Sequence, residues 1–241
     1  MSDWLFDLGN SRFKCASLRD GVIGPVKVLS HLTETMDTFA LQALPRGRVA
    51  YLASVAAPTL TRHVLEALKM RFEQVQVAAT VAACAGVRIA YAQPERFGVD
   101  RFLALLGSHG EGDVLIVGVG TALTIDLLAA NGGHLGGRIS ASPTLMREAL
   151  HARAALPLNG GRYLEFAEDT DDALVSGCDG AAVALIERSL YEARQRLDQS
   201  VRLLLHGGGV PSLLPWFGDA AHRPTLVLDG LAIWAAVAAN V

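Results

Sequence analysis

A chain of 241 residues with a net charge of −3, 51% hydrophobic and only 6% aromatic residues makes one large domain or two small ones around an aliphatic core. No apolar run reaches the roughly 20 residues of a spanning helix, and no basic block is present, so neither a membrane nor nucleic acid is the expected partner. Cys15, Cys84 and Cys178 lack metal-ligand spacing, and Met1 to Trp4 open no basic and apolar leader, so the expected compartment is a reducing cytoplasm.

Trp4 to about Val28 reads as three antiparallel strands. The first turn, Gly9-Asn10-Ser11, separates apolar Leu5-Phe6-Asp7-Leu8 from alternating Arg12-Phe13-Lys14, and Arg19-Asp20-Gly21 makes the second. Glycine and asparagine tolerate positive φ and let a backbone approach a ligand. Asp7 offers a carboxylate for a metal, the turn offers N–H groups and a hydroxyl, and Lys14 adds a cation. These are the parts of a triphosphate cradle; they are also the parts of an ordinary hairpin turn.

Thr35 to Leu44 reads as a short helix stopped by Pro45. Arg48 to Val55 reads as a buried strand, Pro58 to Phe72 as a helix with Leu60, Val64, Leu65 and Leu68 on one side, and Gln74 to Ala79 as a strand. Tyr91 begins a loop, and a helix runs on from Phe102 with Asp100 at or near its start. Asp100 is either a cap worth about 1 kcal/mol or a general base; Arg101 is either a solvated residue or an anchor for an anionic substrate. Polar, glycine-rich Ser108 to Asp113 sets a domain boundary, giving 1–112 and 113–241.

The second half opens on an echo. Leu115 to Asp126 repeats apolar strand, glycine-hydroxyl turn and alternating strand; laying Gly9 on Gly120 puts Asn10 on Thr121, Phe6 on Val117 and Asp7 on Gly118. Such duplication predicts two similar domains closing on one phosphate chain. Asn131 to Gly133 is then a turn, Leu135 to Ile139 a strand whose glycines permit close approach, and Pro143 to Leu156 a helix ended by Pro157. Thr170 to Leu197 is a long helix with an interruption at Gly177 to Gly180. Val201 to Leu205 is a buried strand entering His206-Gly207-Gly208-Gly209, either a flexible turn or a seat for a nucleobase or ribose. Leu226 to Leu228 reads as a last strand and Leu231 to Val241 as a terminal helix.

Rival chemistries fail on specific residues. A dinucleotide fingerprint at Gly118-Val119-Gly120 needs a third glycine where Leu123 stands, and a helix where the pattern alternates. No Walker-type glycine-lysine-serine or glycine-lysine-threonine run exists, and no Gly-x-Ser-x-Gly elbow accompanies the His206 glycines. The histidines are not spaced for zinc.

Together these stretches resemble the type III pantothenate kinases of the acetate and sugar-kinase, actin-like superfamily, over nearly the whole chain. Asp7 through Lys14 matches Asp-x-Gly-Asn-Ser/Thr-x-x-Lys. Gly98 through Arg101 matches Gly-x-Asp-Arg, with Tyr91 upstream, and Gly120 through Asp126 matches Gly-Thr-Ala-x-Thr-x-Asp. Gly136-Gly137-x-Ile139, Thr170-x-x-Ala173 and Gly207-Gly208 are similar to later family motifs.

The resemblance implies an α/β fold of two ribonuclease H-like (actin-like) domains, each a mixed sheet flanked by helices, around an ATP cleft. It implies ATP-dependent phosphorylation of pantothenate to 4'-phosphopantothenate, the opening step of coenzyme A synthesis, in a cytoplasmic homodimer. Asp100 is then the general base, and Asp7 holds Mg²⁺ directly or through water. Leu8, Gly9, Asn10, Ser11, Arg12, Phe13 and Lys14 join Asp7 on the ATP side, with Gly120 and Thr121 at the phosphates and Gly207 and Gly208 at adenosine. Tyr91, Gly98, Val99, Asp100 and Arg101 line the pantothenate pocket, Arg101 suiting a carboxylate by its forked donors, and Thr170 completes that pocket from the partner subunit. Two other readings stay open: a non-catalytic, nucleotide-binding transcription accessory factor of the same fold, and a kinase for another small hydroxylated acceptor. Gly118 stands where the family carries an acidic residue of a potassium or ammonium site, which leaves the monovalent-cation ligand unassigned. Ser140 to Pro143 replaces the family's Pro-Gly.

Overall fold

The structure is a computed structural model that describes residues 2–30, 41–154, 156, 159–197 and 200–239. Strand β1 (Asp3–Leu8) pairs antiparallel with β2 (Arg12–Arg19), in a register that sets Asp7 opposite Lys14 and Leu8 opposite Phe13. Asp20 and Gly21, both at positive φ, turn the chain into β3 (Val22–Ile23), and β4 (Lys27–Ser30) adds to β2. The helix expected over Thr35 to Leu44 lies largely outside the described residues. β5 (Gly47–Ser54) runs parallel to β1, and β6 (Phe72–Val77) parallel to β5. Between them α1 (Pro58–Lys69) starts on a proline, whose fixed φ suits a first turn, and buries Leu60, Val64, Ala67 and Leu68 at helical spacing. It ends before Phe72 because that ring belongs to β6, where it meets Phe6 edge-on at 5.6 Å.

β7 (Ala83–Cys84) and β8 (Val87–Arg88) form a small hairpin about Ala85 and Gly86, both at positive φ. α2 (Val99–Ser108) follows, then β9 (Val114–Val119), β10 (Ala122–Leu128) and β11 (His134–Ala141). α3 (Pro143–Ala154), α4 (Thr170–Arg196), β12 (Arg202–His206), α5 (Val210–Leu213), β13 (Ala221–His222) and α6 (Leu226–Ala238) complete the chain. α4 is continuous through Gly177 and Gly180, against the expected interruption; neither glycine is needed to relieve a close contact.

The first sheet has the order β3-β2-β1-β5-β6, and the second β11-β10-β9-β12-β13. In each, an antiparallel hairpin supplies the central strand, and two further strands add parallel to it. The inferred duplication is therefore a duplication of topology. Each sheet has its own hydrophobic core: in the first, Phe6, Phe13 and Phe72 form an aromatic cluster among aliphatic side chains such as Leu52 and Leu68, and in the second aliphatic residues such as Leu115, Val117, Ile186 and Leu205 dominate.

Two compact units result: Met1–Gly110 with Asn131–His134 and Thr225–Val241, and Glu111–Ala130 with Leu135–Pro224. The C-terminal helix thus belongs with the first unit, in contrast to the simple division at residue 112. Glycines explain it. A Cβ on Gly230 would lie 1.8 Å from the Leu103 carbonyl oxygen, and one on Gly107 would lie 2.5 Å from that of Leu226, so α2 and α6 pack backbone to backbone. Leu226 to Leu228, expected as a strand, is the buried first turn of this helix; the short run was apolar on every side because it is enclosed on every side. The edge strand is β13 instead, only two residues long. Among the described residues, no helix is long and apolar enough to cross a membrane.

Candidate active site

In the first unit, β1 delivers Asp7 to the mouth of the β1–β2 turn, beside Lys14 on the paired strand. The Gly9 N–H donates to the Arg12 carbonyl at 3.0 Å and closes the turn. Neither Gly9 nor Asn10 has positive φ; glycine at 9 instead eases a close approach, since a Cβ there would stand 3.3 Å from the Arg12 oxygen. Asn10, Ser11 and Arg12 are exposed, whereas Leu8 and Phe13, expected on the ATP side, are fully buried in the core of the first sheet.

Loss of hydration raises the Asp7 carboxyl from its ordinary 3.8 to about 6; Lys14 opposes the rise and the negative charge of Asp100 adds to it. Asp7, Lys14 and Asp100 thus form one electrostatic group. Asp100 sits in the first turn of α2, but Gly98 is the N-cap. The Asp100 Oδ1 accepts from the Arg101 N–H at 2.8 Å, and a Cβ on Gly98 would fall 2.7 Å from that oxygen. Glycine at 98 therefore leaves space for the carboxylate, and Val99 links the two.

Arg101 is 6% exposed, unusual for a guanidinium. Its Nη1 donates to the Tyr91 hydroxyl at 3.5 Å, and its Cζ lies 4.4 Å from the centre of the Phe97 ring. Phe97 meets Tyr91 edge-on at 4.9 Å, and the Thr80 hydroxyl donates to the Phe97 carbonyl at 2.8 Å. Phe97 and His134, both enclosed in this cluster, are absent from the sequence-derived site. Phe97 carried a signal in its place just before the Gly98 motif; a single histidine after a glycine turn carried none.

In the second unit, the Gly120 N–H donates to the Ala122 carbonyl at 2.9 Å, giving a β9–β10 turn one residue shorter than the first. Gly120 and Thr121 are exposed, and the Thr121 carbonyl accepts from the Ser142 N–H. Gly207 has φ +101° and would put a Cβ 2.4 Å from the Val119 carbonyl oxygen, while the Gly209 N–H donates to that oxygen at 2.9 Å. The glycine run, with Gly208 at its middle, is thereby held to the strand end next to Gly120. Thr170 opens α4 in an exposed position, beside the capping Asp169.

The donors can be tested against the ions. Asp7 suits Mg²⁺: a dehydrated carboxylate beside a second one is where a hard cation is most favourable, and Mg²⁺ needs only one or two such ligands besides phosphate and water. Among the described residues no group of three or more histidine, cysteine or acidic side chains could hold a metal unaided. At Gly118 no carboxylate exists, and a Cβ there would meet Thr124 Oγ1 at 2.6 Å and His206 Nε2 at 2.9 Å. The position assigned by resemblance to an acidic cation ligand is filled by an imidazole and a hydroxyl.

Two sheets of one topology, each headed by a tight hairpin, define the actin-like class of α/β folds. Solved structures share the architecture: a Campylobacter jejuni protein of the Baf transcriptional-activator family (21% identical, TM-score 0.65, 99% of this chain and 100% of that one covered). A second is the activator of 2-hydroxyisocaproyl-CoA dehydratase from Clostridium difficile with bound ADPNP (13% identical, TM-score 0.55, 100% and 96% covered). Within that class the chain belongs to the type III pantothenate kinase family, whose family model matches residues 4–192. A type III pantothenate kinase of Xylella fastidiosa is 88% identical over the full length of both chains.

Proposed function

We infer that this chain transfers the γ-phosphoryl group of MgATP to the hydroxyl of pantothenate, yielding 4'-phosphopantothenate for coenzyme A synthesis. The observation that carries the residue assignment is the first-unit group: an acid at the start of α2, whose charge acts on the Asp7 carboxyl that Lys14 faces, and which is adjacent in sequence to a buried, aromatic-backed arginine.

Phosphoryl transfer asks a protein chiefly for positioning and charge neutralisation. Asp100 takes the proton of the substrate hydroxyl as it attacks phosphorus, a role worth about 10²–10⁴ in rate. Its Oδ1 is held by the Arg101 N–H, which leaves the carboxylate oriented by its own helix turn. Arg101 grips the pantothenate carboxylate, its guanidinium plane set by Phe97 and Tyr91, with Gly98 and Val99 along the pocket wall. Asp7 would hold Mg²⁺, which when bound would supply charge neutralisation for the transferring phosphate. Lys14 and the N–H groups of Gly9 to Ser11 hold phosphate, as do Gly120 and Thr121; Gly207 and Gly208 provide a flat seat for adenosine. A cytoplasmic homodimer, with Thr170 entering the partner's pocket, belongs to the same proposal.

The test is direct: purified protein with pantothenate and MgATP forms 4'-phosphopantothenate by mass spectrometry, and a panel of other hydroxylated acceptors does not replace pantothenate. Because Gly118 brings no carboxylate, exchanging potassium for tetramethylammonium leaves the rate within about twofold; a collapse of activity would show a cation ligated elsewhere. Sedimentation establishes the dimer or refutes it.

A further inference from the structure

The proposed reaction leaves one enclosed polar ring unused. His134 opens β11, an edge strand, yet is only 4% exposed. The Ala90 N–H donates to its Nδ1 at 3.4 Å, so that nitrogen carries a lone pair and the proton of the neutral ring is assigned to Nε2. The ring lies nearly parallel to Tyr91, 21° apart with centres 6.2 Å distant, and packs on Phe97 with centres 4.9 Å apart. These two are the rings that frame the Arg101 guanidinium: Phe97 beneath it and Tyr91 accepting from Nη1.

The backbone around His134 is tied to the same unit. The Arg88 N–H donates to the Gly132 carbonyl at 2.8 Å, and Arg88 bridges to Gly133. A Cβ on Gly132 would come 2.1 Å from the Gly86 carbonyl oxygen, so this turn sits against the β7–β8 hairpin with no room to slide. His134 is thus anchored on one side by main chain and touches both aromatic supports of Arg101 on the other. A leucine could fill the volume; the ring adds a flat face for Tyr91 and an acceptor that fixes its plane.

We propose that His134 is a positioning residue for recognition of the substrate carboxylate, locking Tyr91 and Phe97 and through them the direction of the Arg101 guanidinium. This rests on the reading of Arg101 as the pantothenate anchor. A misdirected guanidinium still binds, but loses one of its two aligned donors. The cost falls on pantothenate and spares ATP.

Steady-state kinetics of full-length His134→Ala, His134→Phe and His134→Asn test it, each checked for folding by circular dichroism. His134→Ala raises the KM for pantothenate about tenfold, with the KM for ATP within twofold of the parent and kcat within threefold. His134→Phe, which keeps the ring face, recovers part of that loss, and His134→Asn, which keeps an acceptor near Ala90, recovers less. If His134→Ala does not fold, the other two must show the same selective rise. A pantothenate KM unchanged in the folded variants, or pantothenate and ATP KM rising together, overturns the inference. A parent enzyme that does not phosphorylate pantothenate would instead sink the functional reading beneath it.

Discussion

The β1–β2 and β9–β10 hairpins occupy the same place in two sheets of identical strand order, yet they carry opposite chemistry. In the first, Asp7 faces Lys14 across the ladder; at the aligned site of the second, Gly118 faces Thr124, and the imidazole of His206 fills the space. Both copies offer main-chain N–H groups and a glycine at the turn, and the facing charges of Asp7 and Lys14 are found in the first. Under the proposed function, the duplicated scaffold would meet phosphate in two ways, and the first copy alone sets a dehydrated carboxylate at the aligned position. The loops differ in the same sense: the first turn leaves Asn10 and Ser11 beyond its closing hydrogen bond, the second leaves Thr121 alone.

Removing the charge from the first hairpin is the largest perturbation of that contrast. Asp7→Asn lowers kcat by about 10² or more while stabilising the ligand-free protein. The sign follows from the raised carboxyl: between its ordinary 3.8 and about 6 the folded state holds the proton more tightly than the unfolded one, so stability falls as pH rises through that window. Above pH 6 the deficit amounts to as much as about 3 kcal/mol, and urea unfolding of parent and variant from pH 4 to 8 measures it. Parallel curves would show that Asp7 pays no such penalty.

The second hairpin is broken through its backbone. Gly207→Ala destabilises by about 1–3 kcal/mol, because φ +101° and the Val119 carbonyl both exclude a Cβ; thermal unfolding with and without ATP reads this, with weaker ATP protection expected. Lys14→Met sharpens the comparison by removing the one influence that lowers the Asp7 carboxyl, so its midpoint moves further up in a carbon-detected titration. Gly118→Ala has the smallest effect, about 1 kcal/mol, since the atoms a methyl would meet belong to side chains, those of Thr124 and His206, and not to backbone.

The hairpins were legible because an apolar strand, a glycine turn and an alternating strand are local signals, and their repetition across 111 positions (Gly9 to Gly120) pointed to a doubled fold. Asp100 and Arg101 were legible as a pair, though not which of them was buried; Arg101 is enclosed, with the Phe97 and Tyr91 rings against its guanidinium. What escaped was tertiary. Leu226 to Leu228 is helical through the contact of Gly230 with α2, and no window of residues displays that contact. His134 and His206 acquire meaning from neighbours far away in sequence, Ala90 and Gly118, and neither sits in a pattern that periodicity can find.

The proposed phosphoryl transfer depends most on Asp100 as the group that receives the substrate proton. Single-turnover formation of 4'-phosphopantothenate by Asp100→Asn, with saturating MgATP and pantothenate, measures that role with binding held constant. A fall of about 10²–10⁴ in rate, with an unchanged circular dichroism spectrum, is the predicted result; a rate within a few-fold of the parent would contradict it.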